Sequence, residues 1–379
     1  MGAKTRIQQL FPVMLMSLVM ATWLLSWTIQ AEGIDPLTKT EHFNFVREFC
    51  PNVEVKCKSQ LTDTCLSSFL DPVKLRKDLQ NKTIVYMTGF GGDIIDRNDY
   101  FDKTSIPMAE KYGAKTIKLM TDTVSNSTAD ANKFCDWARN KIRILKAEDK
   151  RNPLSEPRQL IFFGHSKAGR VLYKMAYQSC PEVMDARVVH SIFGTQAAIG
   201  PSPLANWKEQ FDSVRWQEAK KVGIKSEFDP QVFSKVGAFF GSELGRSVEK
   251  ELAFDKRAVK CESCRNKMLF LTSTWKPECD PKRVFKNDTS SFIEVRDRDN
   301  DLRLPLKSQT ADSGSRVIAQ LSCVAHSDLY KARMMPEHLI CQQAMNLWIL
   351  QKIHTTLEST STVPVRDINF IKYVPNSAK

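Results

Sequence analysis

From residue 82 onward, short runs of apolar and β-branched residues alternate with stretches of helical spacing. Thr83–Met87 (Thr-Ile-Val-Tyr-Met), Thr116–Met120 (Thr-Ile-Lys-Leu-Met), Leu160–Phe163 and Arg187–Phe193 each have the length and composition of a buried strand. Between them, Tyr100–Tyr112, Ala129–Lys146 and Val171–Tyr177 read as helices, the second with Phe134, Trp137, Ile142 and Leu145 on one face. Strand alternating with helix predicts a mostly parallel α/β sheet with helices on both faces and right-handed crossovers. The alternation stops after Gly194. Residues 201–266, opened by Pro201-Ser-Pro203, are amphipathic and helical, with an apolar cluster at Val232, Phe233, Val236, Phe239 and Phe240. Such a stretch reads as a helical cap, or equally as helical decoration of the sheet. Strand signals resume at Lys267–Thr274, Phe292–Val295 and Arg316–Val324, and Leu339–Ile353 reads as the last long helix.

The segment 32–80 is polar and holds Cys50, Cys57 and Cys65, so it is expected to be an N-terminal extension pinned by disulfides, with the sheet beginning at Lys82. The resulting organisation is 1–31, 32–80, a first core part over 81–200, the cap over 201–266 and a second core part over 267–379. Residues 1–31 have the pattern of an export signal. Lys4 and Arg6 precede the uncharged apolar run Leu10–Trp27, and Ala31 offers a cleavage point. The run also approaches the length of a membrane anchor, which is the alternative.

The chain has 379 residues, 42% hydrophobic and 26% charged, an ordinary globular composition. Its net charge of +12 is scattered among acids, which excludes a dedicated nucleic-acid surface and leaves a mild attraction to anionic membranes. Ten cysteines beyond an export signal predict disulfides, with pairing unassigned. Cys261-Glu-Ser-Cys264 has the spacing of a zinc half-site or a redox pair, but no second pair accompanies it, so a local disulfide is expected.

The stretch most rich in chemistry is Gln159–Arg170. A buried strand ends at Gly164, Ser166 follows, and Gly169 precedes a helix, the pattern of a sharp strand–serine–helix turn that lifts a hydroxyl clear of a sheet. The pattern asks for glycine at 168, where this chain has alanine. A serine nucleophile needs a base and an orienting acid. Of six histidines, His326 alone follows a strand and precedes a helix on the edge where Ser166 lies. Asp297, Asp299 and Asp301 follow the strand Phe292–Val295, and the turn before Pro305 favours Asp301, with Asp299 second. The glycine turn Thr88-Gly-Phe-Gly-Gly92 offers the Phe90 amide, and the serine turn the Lys167 amide, as donors to an oxyanion. That turn lacks the spacing of a dinucleotide-binding loop.

Taken together, Thr-Gly-Phe-Gly-Gly at 88–92, Gly-His-Ser-Lys-Ala-Gly at 164–169, Asn300-Asp301 and His326-Ser-Asp328 resemble the α/β-hydrolase superfamily, in particular bacterial secreted triacylglycerol lipases and esterases. The resemblance covers roughly residues 82–205 and 267–353. It implies an α/β-hydrolase fold, an ester or lipid substrate, Ser166 as nucleophile, His326 as base, Asp301 as acid and the Phe90 and Lys167 amides as oxyanion hole. In lipases of this kind an aspartate after the histidine binds calcium with a second one upstream, here Asp328 and Asp280; capping of the following helix is the other expectation for Asp328. The altered glycines at 168 and 302 leave two further readings open, a non-catalytic binding protein of the same fold and an acyltransferase using the same residues.

Overall fold

The structure is a computed structural model. It describes residues 40–93, 99–123, 125–154, 156–202, 243–252, 261–276, 279, 301, 304–310 and 316–358. The export pattern, the apolar cluster at Val232–Phe240, the strand signal Phe292–Val295, Asp280 and Asp299 lie outside the described residues. Among the described residues, seven parallel strands form one sheet: β1 (Glu41–Asn44), β2 (Lys82–Thr88), β3 (Lys115–Met120), β4 (Gln159–His165), β5 (Val189–Thr195), β6 (Met268–Thr274) and β7 (Arg316–Ser322). Their order across the sheet is β1-β7-β6-β5-β4-β2-β3.

Helices cover both faces, so strand residues are apolar in both directions. In β2, Ile84 and Tyr86 join one core and Val85 and Met87 the other; in β4, Ile161 and Phe163 face the first and Leu160 and Phe162 the second. The first core is closed by α1 (Cys50–Cys57), α2 (Pro72–Leu79) and α3 (Ser105–Lys111), together with the last helix, α6 (Leu339–Glu358). The second lies under α4 (Ser127–Arg151) and α5 (Lys167–Lys174). The helix after Ser166 starts four residues earlier than its apolar pattern suggests, because Lys167 and Arg170 are wholly buried within it.

The N-terminal segment departs most from expectation. The sheet does not begin at Lys82: Glu41–Asn44 adds a strand to its edge, in register with Ala319–Ser322 of β7. His42, placed before the sheet by the sequence, therefore lies in β1. The segment is also fixed covalently, since Cys50 is bonded to Cys341 of α6 and Cys57 to Cys65. Cys135–Cys180, Cys261–Cys264 and Cys279–Cys323 complete the pairing of all ten cysteines.

β2 and β4 are neighbours, yet the chain visits β3 on the far side of β2 before returning to β4. The connections leaving β2 and β4 thus run in opposite directions and open a crevice at their C-terminal ends. No helix among the described residues is long and apolar enough to cross a membrane.

Candidate active site

Ser166 ends β4 and opens α5 with φ 58° and ψ −122°, a conformation that L-residues adopt only under constraint. The constraint is visible in its backbone bonds. Ser166 N–H donates to Thr195 O at 3.1 Å, and Ser166 O accepts from Gly169 N–H at 3.0 Å and Ala198 N–H at 3.1 Å. A Cβ on Gly164 would lie 2.6 Å from Leu172 Cδ1, and one on Gly169 would lie 2.3 Å from Ala197 Cβ. The close approach between turn and sheet therefore falls on residue 169, and Ala168 carries its methyl into the second core.

Gly89, at the end of β2, lies directly against this turn. A Cβ there would come within 2.6 Å of Tyr100 Oη, 2.8 Å of Ser166 Cβ and 3.0 Å of His165 O. Gly92 N–H closes the turn onto Gly89 O at 3.1 Å, and Thr121 Oγ1 holds Thr88 O at 2.7 Å. Phe90 thus follows the glycine packed on the serine, and Lys167 is the first residue of α5. Gly89→Ala is expected to lower stability by about 1–3 kcal/mol through overpacking against β4. Urea unfolding would reveal it, and a variant as stable as wild type would mean that the turn can simply move away.

His326 Nδ1 lies 2.8 Å from Asp301 Oδ2, and His326 N–H donates to Asp301 O at 2.8 Å. Asp301 is fully buried and its second oxygen accepts Leu304 N–H at 2.8 Å, while the His326 side chain is 12% exposed. With Asp301 accepting at Nδ1, the imidazole carries its proton there and leaves Nε2 as an acceptor.

Gln196, the residue after β5, joins these parts and has no signal in the sequence. Its Oε1 accepts His165 Nε2–H at 3.1 Å and Ser327 N–H at 3.3 Å; its Nε2 donates to Ser273 Oγ at 2.5 Å and Ala325 O at 3.1 Å. One buried amide thereby grips the chain on both sides of His326 and fastens it to the residue before Ser166. The His165 and His326 rings lie 4.7 Å apart. His165 turns away from the crevice as the turn geometry requires; Tyr100 Oη donates to its Nδ1, and burial drives its pKa well below the ordinary histidine value, so it stays neutral. Four of the six non-glycine residues with positive φ among the described residues, Ser166, Gln196, Cys323 and Ser327, lie around this one edge of the sheet.

The basic residues of α5 are also explained here. Lys167 Nζ donates to Asp122 O and Ser125 O, both at 2.5 Å, and lies 3.2 Å from Asp130 Oδ2. Arg170 reaches Ala198 O, Arg246 O and Glu251 Oε1 at 3.2, 3.2 and 3.0 Å. These contacts tie the serine turn to the loop before α4 and to residues 246–251.

Asp328 does not cap the following helix. Its Oδ2 accepts Ala325 N–H at 2.8 Å and bends the histidine loop back on itself, because the chain must reverse between β7 and α6. Its expected calcium partner, Asp280, and the alternative acid, Asp299, lie outside the described residues.

No family model matches the sequence, and no curated protein matches it. Among solved structures, the chain is similar to a metagenomic carboxyl esterase with 13% identity, TM-score 0.49 and coverage of 74% of this chain and 76% of that one. It is similar to the mature lipase BlEst2 of Bacillus licheniformis with 13% identity, TM-score 0.45 and coverage of 70% and 88%. Phospholipase PlaB of Legionella pneumophila gives 13% identity, TM-score 0.41 and coverage of 61% and 46%. The strand order, the serine turn between β4 and α5 and the histidine loop after β7 give this chain the α/β-hydrolase fold.

Proposed function

We propose that the chain is a serine hydrolase that cleaves carboxylic esters, with Ser166 as nucleophile, His326 as general base and Asp301 as the acid that orients it. The observation that supports this reading is the His326–Asp301 hydrogen bond, on a ring 4.7 Å from that of His165, the residue before a serine held at positive φ. In the proposed reaction Ser166 Oγ attacks the ester carbonyl as His326 Nε2 takes its proton. The buried Asp301 carboxylate stabilises the imidazolium so formed. The Phe90 and Lys167 amides receive the oxyanion. His326 then returns the proton to the departing alcohol, and water activated by the same imidazole releases the acid from the acyl-enzyme. An alcohol in place of that water gives acyl transfer by the same groups.

Lipid esters are the proposed substrate class. The net charge of +12 adds attraction to an anionic lipid surface. The N-terminal pattern and the five disulfides favour export.

A serine-directed fluorophosphonate is expected to label Ser166, with hydrolysis of p-nitrophenyl butyrate and palmitate by the same protein. Labelling without turnover of either ester would move the reading toward acyl transfer. No labelling of folded, oxidised protein would leave the non-catalytic binding protein. Gln196→Leu removes the amide that holds both neighbours of His326, and a misplacement of about 1 Å is enough to cost on the order of a hundredfold in rate. The loss is expected in kcat with KM nearly unchanged. A rise in KM alone would assign Gln196 to the substrate pocket instead.

A further inference from the structure

At the opposite end of the sheet from Ser166, a second group of ionisable side chains is gathered by three separate elements. Asp78 comes from α2, His354 and Glu358 from the last two turns of α6, and His190 from the start of β5. None of them enters the reaction proposed above. We propose that Asp78, His354 and Glu358 form a divalent-cation site that takes Zn²⁺ with one imidazole and two carboxylates, its fourth position filled by water.

The donor geometry suits such an ion. His354 Nε2 lies 3.2 Å from Asp78 Oδ1 and 3.3 Å from Glu358 Oε1. Bonds of about 2.0–2.2 Å in a tetrahedron set neighbouring donors on the order of 3.3 Å apart, so the side chains need little movement to close on zinc. His354 and Glu358 are four residues apart on one helix and share a face. Asp78 is 93% buried by its 7% exposure, and its carboxylate already receives Lys74 Nζ, 3.3 Å from Oδ1 and 3.2 Å from Oδ2.

The surroundings also have the form of a ligating imidazole's support. The far ring nitrogen of His354, Nδ1, lies 3.1 Å from His190 Nε2, and the two rings are stacked at 5.0 Å with 8° between their planes. His190 Nδ1 is in turn 3.2 Å from Ser191 Oγ. A metal-bound histidine is held through its second nitrogen in this way, which fixes the ring and leaves the first nitrogen's lone pair facing the ion.

The two carboxylates already face a cation. Lys74 Nζ stands 3.2 Å from Asp78 Oδ2 and 3.0 Å from Glu358 Oε2, on a side chain 37% exposed that can withdraw into water. Lys82, whose charge also reaches Asp78 and Glu358, is held by Gln159 Oε1 at 2.7 Å. The other described cluster of ligand types, Cys50, Glu54, His338 and Cys341, loses both sulfurs to a disulfide and offers no comparable set.

The test uses the oxidised chain after chelator treatment and dialysis, titrated with ZnCl₂ by calorimetry and followed by thermal unfolding. One equivalent of Zn²⁺ is expected to bind and to raise Tm by about 5 °C at a hundredfold excess over Kd. Co²⁺ in its place should give the visible absorption of a tetrahedral ion. Glu358→Gln, at a half-exposed position that leaves the fold untouched, should weaken Zn²⁺ by roughly tenfold to a hundredfold, and His354→Ala should abolish it. Lys74→Met removes the resident ammonium and should bind Zn²⁺ more tightly than wild type. Absence of saturable uptake in both wild type and Lys74→Met would overturn the site. So would uptake that survives unchanged in His354→Ala and Glu358→Gln.

Discussion

Ser166→Ala is expected to lower ester hydrolysis by about 10⁴-fold or more, to the level left by binding and oxyanion stabilisation alone. The substitution removes one oxygen and leaves the turn intact, since Thr195 O, Gly169 N–H and Ala198 N–H all engage the backbone of residue 166 and not its side chain. Tm should therefore stay near that of wild type. Loss of rate without loss of fold is the result that identifies a nucleophile. A variant retaining more than about one per cent of the rate would remove Ser166 from the mechanism and send the search to another hydroxyl at the same edge.

Asp301→Asn is expected to lower kcat by about 10³- to 10⁴-fold with a smaller change in KM. The side chain keeps its shape and can still accept Leu304 N–H through its oxygen. Its amide then points an N–H at His326 Nδ1, which must become the acceptor. The imidazole proton moves to Nε2, where the serine proton has to go. The structure is preserved and the tautomer is wrong. Steady-state kinetics on p-nitrophenyl butyrate beside a thermal melt would separate the two effects; a variant that loses Tm and rate together would assign Asp301 to folding of the loop.

Much of the sheet was legible because both faces of a central parallel strand are buried, so β2, β4, β5 and β6 each announce themselves as an apolar run. β1 was not, because Glu-His-Phe-Asn is four residues long, polar at three of them, and sits at an edge. Only its pairing with β7 makes it a strand. The start of α5 was hidden for a different reason. Lys167 and Arg170 are charged and break the apolar pattern that begins at Val171, whereas the fold brings Asp130, Glu243 and Glu251 to them from distant segments. Ser166 and His326 were singled out by the strands they follow, β4 and β7, and Asp301, which the structure brings to His326, by the turn before Pro305. Gln196 carries no local pattern at all: its significance lies in four partners drawn from three segments, the end of β4, β6 and the loop after β7, which meet only once β4, β5, β6 and β7 lie side by side.

The pairing of β1 with β7 joins the first strand made to the last. A ribosome delivers residues 41–57 early, yet their docking surface is incomplete until Ser322 has emerged, and the Cys50 sulfur has no partner until Cys341 does. The remaining six strands can associate in sequence order while that leading stretch waits, with Phe43, Phe45 and Phe49 uncovered. Closure of this edge therefore cannot precede the synthesis of residues 316–341, and oxidation at Cys50–Cys341 ties the segment that begins the sheet to the last helix.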